Sequence, residues 1–351
     1  MLRLPSFNFI RARTLSEAAA SLAGEGAAEG ESVRLVAGGT DLWPNMKRRH
    51  QKATTVVSLM GISDLSGIGV NGDVQLGATT LLDDVVRHRA LRERYPAFAA
   101  AVQSISSPPL RNMGTIGGNL CVDTRCTYYN QTEDWRRAID YCMKEEGTIC
   151  WVATGSPRCW AHSASDSAPM ACALGAEVNL VSTAGERILP VENLYKDDGI
   201  DYLAKRPEEI LTALHLPAGS AAGRCRSAFW KLRRRGSIDF AVLSVAAAVW
   251  TDPAGVVEKA RIFLGAVASY PLPALEAANF LVGTKLTEET IAEAAKLARK
   301  VATPMDNTDF QTQWRGVMVQ RYTEAALREA AGLDAKRLAP KHGLPVLPVM
   351  G

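Results

Sequence analysis

The chain has 351 residues, of which 47% are hydrophobic and 22% charged, with a formal net charge of +3. That length exceeds a single core and predicts two or three domains; the small, scattered positive charge excludes a nucleic-acid footprint, and no apolar run reaches the length of a membrane span. Met1-Leu2-Arg3-Leu4-Pro5 lacks a signal-peptide pattern, so a cytoplasmic location with reduced thiols is expected, where clustered cysteines point to metal rather than disulfides.

Thr14-Leu15-Ser16-Glu17 is a capping-box pattern, and Leu15, Ala18, Ala19 and Leu22 recur on one helical face. Gly24 to Glu31 reads as a loop. Val33 to Ala37 is a short apolar strand stopped by Gly38-Gly39, and a helical turn is expected after Thr40-Asp41. Val56 to Leu59 and Val74 to Leu76 are further strands. One helix is predicted from Thr80 to about Tyr95 and another from Pro96 to about Ile105, since proline suits a first turn. Pro217 to Gly223 reads as a connector. Beyond it, Ala241 to Trp250 and Ala260 to Val267 look like buried strands, and Thr287 to Ala302 and Arg321 to Ala331 like amphipathic helices. Pro340 to Gly351 reads as an extended arm.

Leu35-Val36-Ala37-Gly38-Gly39-Thr40-Asp41-Leu42 combines a strand, a glycine turn and a helix-like start. Glycine lets the backbone approach a pyrophosphate, whose oxygens bind exposed N–H groups. The dinucleotide fingerprint G-x-G-x-x-G is absent, so a Rossmann fold gains no support. A second glycine turn, Gly114 to Asn119, could grip the same dinucleotide from the other side. Five of the seven cysteines follow it, between Cys121 and Cys159. Four such thiolates make an iron–sulfur or a zinc site. Zinc knuckles place ligands in C-x2-4-C pairs; apart from Cys121 and Cys126 (C-x4-C), none exists here. Cys172 and Cys225 read as buried small apolar residues. Arg233-Arg234-Arg235 and Lys47-Arg48-Arg49-His50 read as solvated faces. His162 reads as a hydrogen-bonded surface residue. No catalytic Ser-His-Asp or Cys-His arrangement is evident.

The pairing of LVAGGTDL with GTIGGNL, followed by Ala164-Ser165-Asp166 and Phe229-Trp230-Lys231, resembles the flavin-binding subunits of the molybdenum hydroxylases, a family that includes xanthine and carbon monoxide dehydrogenases. The resemblance runs from about Phe7 to Ala331. It implies an α+β fold: a two-lobed FAD-binding domain of the vanillyl-alcohol-oxidase (PCMH) type, with lobes at 1–56 and 57–219, then a C-terminal α+β domain at 223–332 and a tail at 333–351. Carried over residue by residue, FAD contacts fall on Leu35, Val36, Ala37, Gly38, Gly39, Thr40, Asp41, Leu42, Thr115, Ile116, Gly117, Gly118, Asn119, Asp166, Leu211 and Lys231.

Between Asn119 and Asp166 this chain carries an insert, at about 121–162. The insert resembles that of the FAD subunit of 4-hydroxybenzoyl-CoA reductase, which holds a [4Fe–4S] cluster there. Cys121-Val122-Asp123-Thr124-Arg125-Cys126 opens the strongest match. Cys121 directly follows GGNL, where chains without the insert can also carry cysteine. The expected cluster ligands are therefore Cys126, Cys142, Cys150 and Cys159. Arg125, Arg136, Arg137 and Lys144 could offset the cluster's charge or be merely solvated. The resemblance implies an electron-transfer subunit beside a molybdopterin-binding large subunit and a [2Fe–2S] small subunit, in a dimer of heterotrimers. Ferredoxin or NAD would be the electron partner. One direction is reductive dehydroxylation of an aromatic acyl-CoA; the other is oxidation of an N-heterocycle or similar compound.

Overall fold

A computed structural model describes residues 2–23 and 32–335. The expected loop at Gly24 to Glu31 and the arm at Pro340 to Gly351 lie outside the described residues. The first sheet is parallel, in the order β1 (Asn8–Arg11), β3 (Thr55–Ser58), β2 (Val33–Val36). Its centre is β3, which spans residue 56 and buries Val56 and Val57 on opposite faces. The Leu15–Ala23 helix covers one face with Ala18 and Ala19. Only half of the capping box forms. Thr14 Oγ1 accepts from Glu17 N–H, whereas the Glu17 carboxylate takes the N–H of Arg13.

The second sheet is antiparallel, ordered β4 (Ile68–Asn71), β5 (Asp73–Gly77), β8 (Ile210–Leu216), β6 (Glu177–Ser182), β7 (Gly185–Pro190). Along β5, Val74 and Leu76 are buried while Asp73 and Gln75 face out, the period-two pattern of a strand with one covered face. The single helix expected from Thr80 to Tyr95 is two, Leu82–Arg87 and Arg89–Arg94, separated at His88, which is extended (φ −65°, ψ 120°). That break lets Leu82, Val85, Leu91 and Tyr95 all enter one core. No proline or glycine marks it in the sequence.

The third sheet runs β12 (Leu272–Pro273), β11 (Val257–Gly265), β10 (Leu243–Thr251), β9 (Arg226–Leu232), all antiparallel. Its β10 reads as a near-continuous apolar run because both of its faces are covered. Phe229, Ala246, Ala248 and Phe263 join the core of the second sheet. Trp230, Val245, Ala247 and Val249 pack against the Leu275–Leu281, Glu288–Val301 and Thr312–Ala331 helices. The last helix begins nine residues before the predicted Arg321, because Arg315 interrupts the apolar pattern. Arg315 is wholly buried, and its guanidinium donates to the carbonyls of Val242, Ala266 and Met305.

Candidate functional site

A cavity of about 440 Å³ opens between the first and second lobes. One wall is the first glycine segment, Leu35 to Leu42 in full. The other includes Thr115, Gly117, Gly118, Asn119 and Leu211, with Phe240 from the third domain at the rim. Gly39 is left-handed (φ +70°), and a Cβ there would stand 2.0 Å from Trp43 Nε1. A Cβ on Gly38 would stand 1.7 Å from the Met113 carbonyl oxygen, so the two glycine segments abut backbone to backbone. Among the described residues, the N–H groups of Gly38, Gly39, Thr40 and Asp41 have no protein acceptor. Four adjacent free donors around a left-handed turn form an anion cradle, which fits a pyrophosphate.

The second turn does not offer such donors. Ile116 and Gly117 N–H donate to the carbonyls of Thr80 and Ala78, and Gly118 N–H donates to Thr115 Oγ1. What it presents instead is Asn119. Ser165 Oγ (3.0 Å), Ser167 Oγ (2.6 Å) and Ser167 N–H (3.3 Å) all donate to Asn119 Oδ1. Three donors fix the amide orientation, leaving Nδ2 as the end without a protein partner among the described residues.

Three expected contact residues do not line the cavity. Ile116 is wholly buried in the second-sheet core. Asp166 and Lys231 form a buried ion pair (Oδ2–Nζ 2.7 Å), with 4% and 1% of their side chains exposed. Lys231 Nζ also donates to the carbonyls of Ser104 and Asp239. Burial raises the Asp166 carboxyl above its ordinary value, against the pull of Lys231. The pair ties Ser104 to Asp239, and their neighbours Ile105, Ser106 and Phe240 do line the cavity.

The insert is an ordered lobe with its own small core, containing Cys126, Tyr129, Cys142, Cys159 and Ala161. All four expected ligand cysteines are buried, and Ala161 N–H donates to Cys159 Sγ at 3.4 Å. The four also sense one another. Burial pushes the Cys126 thiol up to about 12, with Cys142 and Cys150 adding to the rise. The neighbouring Cys159 holds the Cys150 thiol below its ordinary value, while Cys150 and burial push Cys159 up. Cys121 stands apart. It lines the cavity between the lobes, burial raises it to about 11, and Lys205 is its charged neighbour. Among the described residues no three His, Cys, Asp or Glu side chains converge closely enough to hold a single metal ion.

Of the four basic residues expected to offset the cluster's charge, three have buried, paired side chains. Arg125 pairs with Asp41, Arg136 with Glu133 and Glu145, and Lys144 with Asp123 at 2.7 Å; Arg137 alone is exposed. Two expectations of exposure fail: the solvated face at His50 and the surface position, though not the hydrogen bonding, of His162. His50 Nε2 lies 3.1 Å from the Gln131 carbonyl, and His162 Nδ1 lies 2.9 Å from that of Ser163. Both are buried, and burial holds each ring near 4, hence neutral. Tyr202, Lys205 and Phe240 also line the cavity. The sequence offers no signal for them, since each arrives from a distant element.

Residues 5–219 match the family described as "FAD binding domain in molybdopterin dehydrogenase", and residues 227–330 the "CO dehydrogenase flavoprotein C-terminal domain". The chain belongs to the FAD-binding subunits of the molybdenum hydroxylases. It is 30% identical to the carbon monoxide dehydrogenase medium chain of Afipia carboxidovorans, over 93% of this chain and 98% of that one. It is also 30% identical to the aldehyde oxidoreductase FAD-binding subunit PaoB of Escherichia coli, over 76% and 83%. Among solved structures, reconstituted CO dehydrogenase from Oligotropha carboxidovorans superposes with a TM-score of 0.74 at 27% identity, covering 95% of this chain and all of that one. The α+β architecture expected from the sequence, a PCMH-type flavin domain followed by a CO-dehydrogenase-flavoprotein domain, is the architecture of this oxidoreductase subunit. No helix among its described residues is long and apolar enough to cross a membrane.

Proposed function

We propose that this FAD subunit also carries a [4Fe–4S] cluster, on Cys126, Cys142, Cys150 and Cys159, and passes electrons within a multi-subunit molybdenum enzyme. The free N–H groups of Gly38 to Asp41, flanked by Leu35, Val36, Ala37 and Leu42, would hold the FAD pyrophosphate. Thr115, Gly117, Gly118, Asn119 and Leu211 would form the facing wall. Ile116 supports that wall from the core, and Asp166 and Lys231 brace it as a buried strut. FAD and the cluster, when bound, supply two- and one-electron redox chemistry, while the protein supplies position and electrostatics.

One observation carries the cluster assignment. All four cysteines chosen from the sequence are buried, Cys126, Cys142 and Cys159 share one small core, and Ala161 N–H donates to Cys159 Sγ, whereas Cys121 faces the cavity between the lobes. Hydrogen bonds to sulfur are a lever by which proteins tune such clusters.

The partners would be a molybdopterin-binding large subunit, where the organic substrate reacts, and a [2Fe–2S] small subunit, in a dimer of heterotrimers. The inserted cluster favours a low-potential entry port. Electrons from ferredoxin would then drive reductive dehydroxylation of an aromatic acyl-CoA, as in 4-hydroxybenzoyl-CoA reductase. The names of the relatives favour a second reading, a dehydrogenase, which would pass its electrons outward to NAD or ferredoxin. Metal and flavin analysis of anaerobically purified chain tests the cofactors: one FAD and four irons are expected, and zinc or no metal overturns the cluster. Assay of the complex with reduced ferredoxin and 4-hydroxybenzoyl-CoA separates the two directions.

A further inference from the structure

The insert docks on the segment that immediately follows the phosphate cradle. Tyr129 Oη donates to the His50 carbonyl (2.6 Å), Gln51 Nε2 to Asp123 (3.1 Å), Arg136 Nη2 to the Arg48 carbonyl (2.6 Å), and Lys52 pairs with Glu146 (2.7 Å). The innermost contact is the ion pair between Arg125, next to Cys126, and Asp41, the last residue of the cradle. Asp41 lines the cavity and keeps 34% of its side chain exposed, so a carboxylate sits in a loop whose free N–H groups suit an anion. Uncompensated, that charge would repel a pyrophosphate. Arg125 is 7% exposed, lies 4.6 Å over the Phe240 ring, and keeps Nε and Nη1 without any hydrogen-bond partner. Its positive charge is therefore only partly used by Asp41.

We propose that Arg125 is a positioning residue through which the insert controls the flavin seat: it neutralises Asp41 and so makes the cradle accept the FAD pyrophosphate. Ordering of the cysteine lobe and binding of FAD are thereby linked, and linkage between two sites is reciprocal. The device differs from a direct FAD contact, because its effect depends on Asp41 being charged.

The inference rests on the cavity being the FAD seat, and its test keeps the two apart. Full-length chain is stripped of flavin and titrated with FAD, and binding is followed by quenching of FAD fluorescence, with iron per chain measured in parallel. Arg125→Gln should weaken FAD at least about tenfold while iron content stays at the wild-type level. Arg125→Gln combined with Asp41→Asn should return FAD affinity to within about threefold of wild type. Asp41→Asn alone, which keeps the backbone N–H of the cradle and removes the carboxylate's charge, should bind FAD more tightly than wild type. The inference is overturned if Arg125→Gln binds FAD normally, or if the double variant is no better than the single. Should Arg125→Gln fail to fold, weaker FAD binding by Asp41→Asn alone overturns it. Wild-type chain that takes up no FAD would instead refute the flavin reading itself.

Discussion

Replacing Lys231 by Met tests how the second lobe is braced against the C-terminal domain. The ammonium is 1% exposed and makes three bonds: to Asp166 Oδ2 at 2.7 Å and to the carbonyls of Ser104 and Asp239 at 3.1 and 3.3 Å. Methionine keeps the volume but leaves a buried carboxylate with both oxygens unpaired, since Asp166 Oδ1 already lacks a partner. Breaking such a pair from one side costs about 3–5 kcal/mol. The loss has a defined pH dependence. The Asp166 carboxyl is already raised by burial in the folded chain, and without Lys231 it rises further. A carboxyl raised above its unfolded value favours folding only when protonated, so its contribution is lost as pH rises. The deficit of Lys231→Met should therefore be largest near pH 8 and shrink toward pH 5. Urea unfolding followed by tryptophan fluorescence measures it, and Lys231→Met with Asp166→Asn should recover at least half of it. A deficit below about 1 kcal/mol, the same deficit at both pH values, or a double variant no more stable than the single would refute the buried-strut account.

Gly38→Ala and Gly118→Leu should separate the loop's shape from its ligand space. A Cβ at Gly38 meets the Met113 backbone at 1.7 Å, whereas one at Gly118 meets only Thr115 Oγ1 at 3.0 Å. Gly38→Ala should thus lower the melting temperature of flavin-free chain and abolish FAD binding, while Gly118→Leu should lose FAD with little change in flavin-free stability; equal destabilisation would contradict this. Cys142→Ser should lose the broad iron–sulfur absorbance and Cys121→Ser should keep it, as judged by iron per chain after anaerobic purification; equal losses would refute the ligand set. His50 is neutral in the fold because burial depresses it to about 4, so the unfolded chain gains a proton first as pH falls below its ordinary value near 6.5. Stability should drop between pH 6.5 and 4, and His50→Gln should flatten that slope in thermal melts; an unchanged slope would count against it.

Features set by neighbouring residues were readable from the sequence. The glycine turns, the Thr287 cap of the Glu288–Val301 helix and the apolar runs of β10 and β11 all depend on local backbone geometry or simple periodicity. Strands β6 to β8 were not read, nor was the break at His88, because what decides them is which partner covers which face. The choice of Cys126, Cys142, Cys150 and Cys159 over Cys121 came from a resemblance rather than from spacing. The fold lends it physical content by burying all four and gathering Cys126, Cys142 and Cys159 into one small core.

By itself the sequence determined the chemistry available: two glycine turns, a crowd of thiols, and charged residues scattered among them. Only the tertiary structure decided how these are used. It gave the free N–H donors to the first turn and spent those of the second on Thr80, Ala78 and Thr115. It also paired Lys231 with Asp166, and Arg125 with Asp41, across long stretches of chain. Whether a donor is free or a charge is compensated depends on what long-range packing brings beside it, and no local pattern encodes that neighbour.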